Sequence, residues 1–241
     1  MVSLRGAYLI DGYLLISWYL VLTGAYKQTD MRVNIMTNYF DAVAGSWDQD
    51  PMKVDRAMAT AECCSQVLLD SRRHLLDFGG GTGLLSVCLS DYFEQITIAD
   101  TSPAMLQMAG QKIAKAGLSH IHTQLIDADI NELNDSYSAI VTLMTLHHIA
   151  DTARFFAGAA ELLESRGALM IADLYPDNGL FHSHNSEFDG HNGFAIEGLA
   201  NDLRAAGFDV VSVQDYYTIS KTIASGEKRR FPLFFLVARK R

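Results

Sequence analysis

The chain has 241 residues, 49% of them hydrophobic, enough to bury a substantial core within one domain. Its formal net charge of −9 argues against wide contact with a nucleic acid backbone, which needs clustered Lys and Arg, and favours small-molecule or protein substrates. Cys63, Cys64 and Cys88 make no spaced ligand set and read as buried thiols of a reducing compartment.

Residues 1–35 differ in character from the rest. Tyr13 to Tyr26 is almost wholly apolar, with Arg5 before it and Lys27 and Arg32 after it. A cleaved signal peptide would use Thr23-Gly24-Ala25 as its small-residue site, and a membrane helix would run from Ala7 to Tyr26 across the interruption at Asp11. The favoured reading is an upstream extension without an evolved role, the natural start being Met31 or Met36; membrane contact through residues 7–26 and an ordinary packed helix are the weaker alternatives. The functional unit is then 36–241. Within it, 36–70 form a helical cover, in which Tyr39 to Asp48 is a short helix or turn and Pro51 opens a helix to about Leu69.

The chain is organised around His74 to Ser86, an apolar strand-type run ending in Asp77-Phe78 and followed by Gly79-Gly80-Gly81-Thr82-Gly83. Glycines at alternate positions allow positive φ and close approach of a ligand to the backbone. A helix over Leu84 to Phe93 would add its N-terminal N–H groups and positive dipole end. The dinucleotide spacing fails, because from Gly79, Gly80 or Gly81 the third glycine position is Leu84, Leu85 or Ser86. A phosphate loop fails because no Lys lies between Arg73 and Lys112. A second strand, Gln95 to Asp100, ends in an acid 23 residues after Asp77, placed to accept from both hydroxyls of a ribose seated on the glycine turn. Ser102-Pro103 then caps a helix to Ala116, closed by Gly117.

Asp77-x-Gly79-x-Gly81-x-Gly83 with Asp100-Thr101-Ser102-Pro103-Ala104-Met105-Leu106 resembles the motifs of class I S-adenosylmethionine (SAM) dependent methyltransferases, and the resemblance covers roughly 36–241. It implies an α/β fold: a three-layer, doubly wound, Rossmann-like sheet of seven mostly parallel strands with a C-terminal antiparallel hairpin. It implies SAM as cofactor and S-adenosylhomocysteine as product. The implied contacts are Asp77 toward the ammonium of the methionine part, Gly79, Gly80, Gly81 and Gly83 in the turn, Asp100 with Thr101 at the ribose, and Met105 beside the adenine. Asp127 and Ala128 would read the adenine amine and ring, with Asp129 an alternative two positions on, and Leu143 would close the end of strand four. Trp47 resembles a lid residue of the family and fits equally well as an aromatic anchoring the cover. Because SAM is a cytosolic metabolite, a cytoplasmic enzyme is expected.

The chain continues as alternating strands and helices, as a parallel sheet with right-handed crossovers requires. Strand 121–126 and strand 138–143 precede Leu146-His147-His148-Ile149, then a helix to Glu164 and a fifth strand from Gly167 to Asp173. The Leu-His-His-Ile segment with Asp151 is similar to the group that includes ubiquinone and menaquinone biosynthesis methyltransferases. From Asp173 to Phe194 runs a loop of about 20 residues dense in His, Asp and Asn, expected to be a mobile substrate lid. A helix over Ala195 to Ala206 is closed by Gly207, and strands Phe208 to Tyr217 and Phe231 to Ala238 flank a charged loop, Lys221 to Arg230.

Methyl transfer from a sulfonium is an in-line displacement, so the protein must align donor and acceptor and, for a hydroxyl or thiol, remove a proton. His147 and His148 are the candidate catalytic residues. His182, His184 and His191 could contact substrate or bind a metal, but His-x-His without Cys partners is a weak metal signal, so no metal is assigned. The acid triad of magnesium-dependent, catechol-type relatives fails at Thr142 and Leu143. Asn-Pro-Pro-Tyr and Pro-Cys signatures of DNA enzymes are absent, and no nucleic acid partner is expected. The leading function is SAM-dependent methylation of a small-molecule hydroxyl, amine or carbon acid. The alternative is a non-catalytic SAM-binding regulatory or scaffold protein, and an NAD oxidoreductase is third. Neither the acceptor nor the oligomeric state is encoded in a motif.

Overall fold

A computed structural model describes residues 39–241 together with Leu9–Ile10 and Tyr13–Leu14, two dipeptides that pair antiparallel. The readings of residues 1–35, and of a start at Met36, otherwise lie outside the described residues. Among the described residues no helix is long and apolar enough to cross a membrane.

Seven strands form one sheet: β1 (His74–Phe78), β2 (Gln95–Asp100), β3 (Ile121–Leu125), β4 (Tyr137–Leu143), β5 (Leu163–Leu174), β6 (Phe208–Thr222) and β7 (Lys228–Lys240). Their order is β3-β2-β1-β4-β5-β7-β6, parallel as far as β5, with β7 inserted antiparallel between β5 and β6. Leu75–Leu76, Ile96, Ile98, Ala139–Val141 and Ala168–Ala172 are buried, because helices cover both faces and parallel strands then carry unbroken apolar runs. On one face α1 (Pro51–Gln66), α2 (Leu84–Cys88) and α3 (Pro103–Ala116) pack through Ala61, Cys64, Leu85, Leu106 and Ala109. On the other, α4 (Thr152–Leu162) and α5 (Ile196–Ala205) pack through Phe155, Phe156, Leu199 and Leu203. This is the three-layer, Rossmann-like arrangement expected from the sequence.

The capping signals read at Ser102-Pro103 and Gly117 act there, and Asp50 adds a cap that the sequence reading had not singled out. Asp50 accepts the Met52 N–H at 3.0 Å ahead of Pro51, Ser102 accepts the Met105 N–H at 3.1 Å ahead of Pro103, and Gly117 closes α3 at φ +70°. Several bounds differ. The helix after the glycine turn stops at Cys88, not Phe93, so a five-residue α2 gives little macrodipole to a ligand. The fourth helix ends at Leu162 and β5 begins at once, a bulge at Tyr137/Ala139 absorbing the mismatch with Arg166 at φ +60°.

The C-terminal hairpin departs furthest from expectation. Residues 221–222 and 228–230, read as charged loop, extend the ladder: Lys221 pairs with Arg229 and Thr222 with Lys228. The charged side chains of this stretch remain solvated, which a strand overhanging the sheet allows as readily as a loop, and charge beside a sheet edge discourages further pairing. The extension overhangs the sheet and packs Ile219, Ile223, Phe231 and Leu233 on Leu174 and Phe181, a third small core.

Phe156 lies fully buried beneath the sheet, and Phe156→Ala is expected to destabilise the protein by about 3–5 kcal/mol, seen as a lower urea midpoint with an unchanged m-value.

Candidate cofactor and acceptor site

In a doubly wound sheet, ligands sit beyond the C-terminal strand ends where the strand order reverses, here between β1 and β4. Two cavities open there. The larger, about 860 Å³, is lined by Trp47, Gly79, Gly81, Asp100, Thr101, Met105, Asp127 and Ala128 of the expected cofactor set. The second, about 730 Å³, takes in Asp77, Gly80 and Leu143 together with His147, His148 and His182. Phe40, Trp47, Met144 and His148 line both and form the junction. Gly83 lines neither. At φ +73° it starts α2, and a Cβ there would sit 2.8 Å from Ile98 Cδ1, so this glycine serves packing.

Gly79 stands at φ +71°, where any Cβ would collide with the Thr145 side chain; the Thr145 hydroxyl donates to the Gly79 carbonyl at 3.2 Å. Asp77 lies beneath the turn, 1% exposed, accepting from Ser86 Oγ at 2.7 Å, and burial pushes its carboxyl up to about 6. Asp100 accepts the Gly81 N–H at 2.8 Å on one oxygen and the Ser102 N–H at 2.9 Å on the other. It is therefore not left free as the sequence suggested, but each oxygen keeps a second acceptor site. Burial raises the Asp100 carboxyl despite those bonds.

The structure separates Asp127 from Asp129. Asp129 caps the turn Ile130–Glu132 and accepts from Arg154 at 2.6 Å, whereas the Asp127 carboxylate has no partner among the described residues. Ala128 between them holds φ +62°, a conformation uncommon outside glycine and enriched at functional positions. Trp47 lines both cavities and anchors the cover through Phe40, edge-on at 5.8 Å, and Lys53, whose ammonium stands 3.6 Å from the ring centroid. The cover is clamped onto the turn because Asp48 accepts from Thr82 Oγ1 at 2.6 Å and from Lys112 at 2.7 Å.

His147 and His148 occupy the turn Leu146–His148 after β4. His147 Nδ1 donates to Asp173 Oδ1 at 2.6 Å, both side chains almost fully buried, leaving Nε2 without a partner. That bond fixes the tautomer, so Nε2 offers a lone pair to a proton or a metal ion. Burial, with His147 and His182 close by, drives His148 well below the usual imidazole range, and His182 falls to about 3, first from burial and then from His147 and Lys221. Asp173 was read only as the end of the fifth strand. The cue was an acid one residue beyond the Leu143–Ala172 pair, beside the segment after β4.

The His-rich segment is not the free lid expected of it. His191 N–H donates to the His147 carbonyl at 2.7 Å, its Nε2 bonds the Ile149 carbonyl at 2.9 Å, Phe194 N–H reaches Leu174 at 2.8 Å, and His184 Nε2 bonds the Thr222 carbonyl at 3.0 Å. His184 and His191 thus fasten the loop to the core and the overhanging hairpin. His182 and His184 both line the second cavity, and of the two His182 is the one gathered with His147 and His148. Arg56 is a further residue that sequence reasoning missed: it lines the second cavity, is 8% exposed, and its guanidinium has no hydrogen bond or ion pair among the described residues.

A seven-stranded sheet of this order, with an acid-bracketed glycine turn at its switch point, defines a Rossmann-like methyltransferase fold. A family model for the methyltransferase domain matches residues 54–213, well over half of the chain, and the chain belongs to that family. Over 154 residues it is 29% identical to an uncharacterized methyltransferase of Schizosaccharomyces pombe, covering 58% of this chain and 54% of that one. Over 140 residues it is 28% identical to a ubiquinone biosynthesis O-methyltransferase of Xanthomonas axonopodis pv. citri, covering 56% and 59%. The chain thus spans little more than half the length of these relatives. Among solved structures, a SAM-dependent methyltransferase from Aquifex aeolicus superposes with a TM-score of 0.61 at 18% identity, over 81% of this chain and 97% of that one.

The Asp77 shift has a defined sign. The folded protein retains a proton that the unfolded chain releases above about pH 3.8, so ionised Asp77 opposes folding increasingly as pH rises to about 6 and constantly above it. Asp77→Asn is therefore expected to match the wild type in stability near pH 3.5 and to exceed it by about 2–3 kcal/mol at neutral pH, as urea titrations at both pH values would show.

Proposed function

We propose that the protein transfers a methyl group from SAM to a small-molecule acceptor, releasing S-adenosylhomocysteine. The observation that carries this reading is the pair of chambers joined at Phe40, Trp47, Met144 and His148. A nucleoside on the glycine turn would meet Asp100 at its ribose, Met105 beside its base and the unpartnered Asp127 at the base's edge, while its sulfonium would face the junction. The acceptor would approach from the chamber holding His147 and His148, along the line a displacement requires. Membership of the methyltransferase family, and the SAM-dependent Aquifex protein of the same fold, support the donor. A purely regulatory SAM-binding protein is disfavoured because it needs no second chamber carrying unpartnered polar atoms. A cytosolic donor suits a cytoplasmic enzyme.

Calorimetric titration with SAM and S-adenosylhomocysteine tests the reading. Low-micromolar binding is expected, weakened about 10–100-fold by Asp100→Ala through loss of charged hydrogen bonds. A folded protein that binds neither ligand would exclude the function.

Arg56 refines the acceptor. Asp50 and Asp173 act on the buried Arg56 guanidinium only from a distance, with no hydrogen bond or ion pair among the described residues, so a ligand in this chamber gains by supplying a direct anionic partner. In a screen of phenols and hydroxy acids, carboxylate-bearing acceptors are expected to be preferred, and Arg56→Ala to raise their KM at least about 10-fold while leaving neutral acceptors unaffected.

A further inference from the structure

We propose that His147, His148 and His182 form a divalent-metal site that takes the acceptor's heteroatom, an inference that rests on the methyl-transfer reading for its chemistry but not for its geometry. One ring nitrogen from each of the three residues lies within 4.8 Å of the others. His147 Nε2, His148 Nδ1 and His182 Nε2 are all buried without a hydrogen-bond partner among the described residues. Bare buried nitrogens are individually costly, and three of them facing a common space are satisfied together by one cation.

The surroundings suit such an ion. Asp173 holds His147 by its other nitrogen at 2.6 Å, the carboxylate–histidine–metal arrangement that orients a ligand and strengthens its lone pair. His182 is stacked on Phe188 with ring centroids 3.7 Å apart at 11°, and His148 lies edge-on to Phe40 at 5.7 Å, so both rings are braced. Three neutral imidazoles favour zinc or a neighbouring late first-row ion. At a Zn–N distance of about 2.0–2.1 Å, tetrahedral nitrogens stand about 3.3 Å apart, so the set closes by no more than about 1.5 Å. Three protein ligands leave the fourth position open, as catalytic zinc sites do. This set shares nothing with an acid triad, and it brings together a residue pair after β4 and a loop histidine whose sequence neighbour, His184, is engaged elsewhere.

The open position borders the junction through His148. An acceptor hydroxyl or thiol bound there loses its proton to bulk water, because the ion lowers its pKa. The freed lone pair attacks the sulfonium methyl. The new bond forms as the methyl–sulfur bond breaks, its electron pair passing to sulfur, and the products are the methylated acceptor, S-adenosylhomocysteine and one proton. The acceptor class narrows to hydroxyls and thiols.

The test uses the full chain stripped with a chelator, titrated with Zn2+ by calorimetry and with Co2+ by visible absorption. One equivalent of each ion is expected to bind, cobalt showing the intense d–d bands of a four-coordinate ion. His148→Ala and His182→Ala should each abolish that spectrum, Asp173→Asn should weaken binding about 10–100-fold, and His122→Ala, an exposed histidine remote from the site, should change nothing. SAM titration of every preparation separates the two ideas and reports folding. Variants that bind SAM normally while the wild type takes up no ion, or that retain the ion and its spectrum without His148 or His182, overturn the metal site and leave the methyltransferase reading standing. Metal uptake by a protein that binds no SAM overturns the methyltransferase reading and leaves the site.

Discussion

The contact between Gly79 and Thr145 governs the geometry of the site. At the switch point the ends of β1 and β4 diverge, and the space between them is where ligands enter. Thr145 fills the position that a side chain on residue 79 would need, and its hydroxyl donates to the Gly79 carbonyl and to the Leu143 carbonyl at 3.2 Å each. One threonine therefore ties the glycine turn to the short helical turn that follows, which carries His147 and His148. The two cavities on either side of this tie cannot shift independently.

A second set of contacts closes the larger cavity from above. Asp41 accepts from Ser102 Oγ at 2.5 Å and from the Ala104 N–H at 3.2 Å, while Asp48 is held by Thr82 and Lys112. Both acids belong to the cover, and both bind residues at the rim of the turn or the start of α3. The same side chains that cap α3 and flank the glycines thus hold Phe40 and Trp47 over the junction. Lys112 also donates to the Thr82 carbonyl at 2.9 Å, so the clamp stiffens the turn it covers.

The second cavity depends on the parts of the chain least constrained by the sheet. The overhanging β6–β7 hairpin packs Ile219 and Phe231 against Phe181, and Lys221 donates to the Phe181 carbonyl at 2.6 Å. Asp177 accepts the Gly179 N–H at 2.9 Å and the Phe181 N–H at 2.6 Å, folding the loop back so that His182 reaches His147 and Phe188. An ordered wall is built from a segment that lacks regular secondary structure because hydrogen bonds to side chains replace the missing ladder.

Much of this was legible beforehand, for a physical reason. Glycine spacing, strand-ending acids and helix caps act over a few residues, so Asp77, Gly79, Gly81, Asp100, Ser102 and Met105 announced the turn, its chamber and the strand–helix alternation of a doubly wound sheet. The charge density of 221–230 misled, since a strand at the sheet's rim and a loop present the same solvated residues. The partnership of Asp173 with His147, the gathering of His182 with His148, the release of His184 and His191 to structural duty, and the isolation of Arg56 depend on contacts between segments far apart in the chain. The sequence by itself determined the fold and the glycine turn at its switch point, because local backbone geometry and hydrophobic period encode both; only the tertiary structure decided which polar groups are left facing one another, because that depends on how distant segments pack.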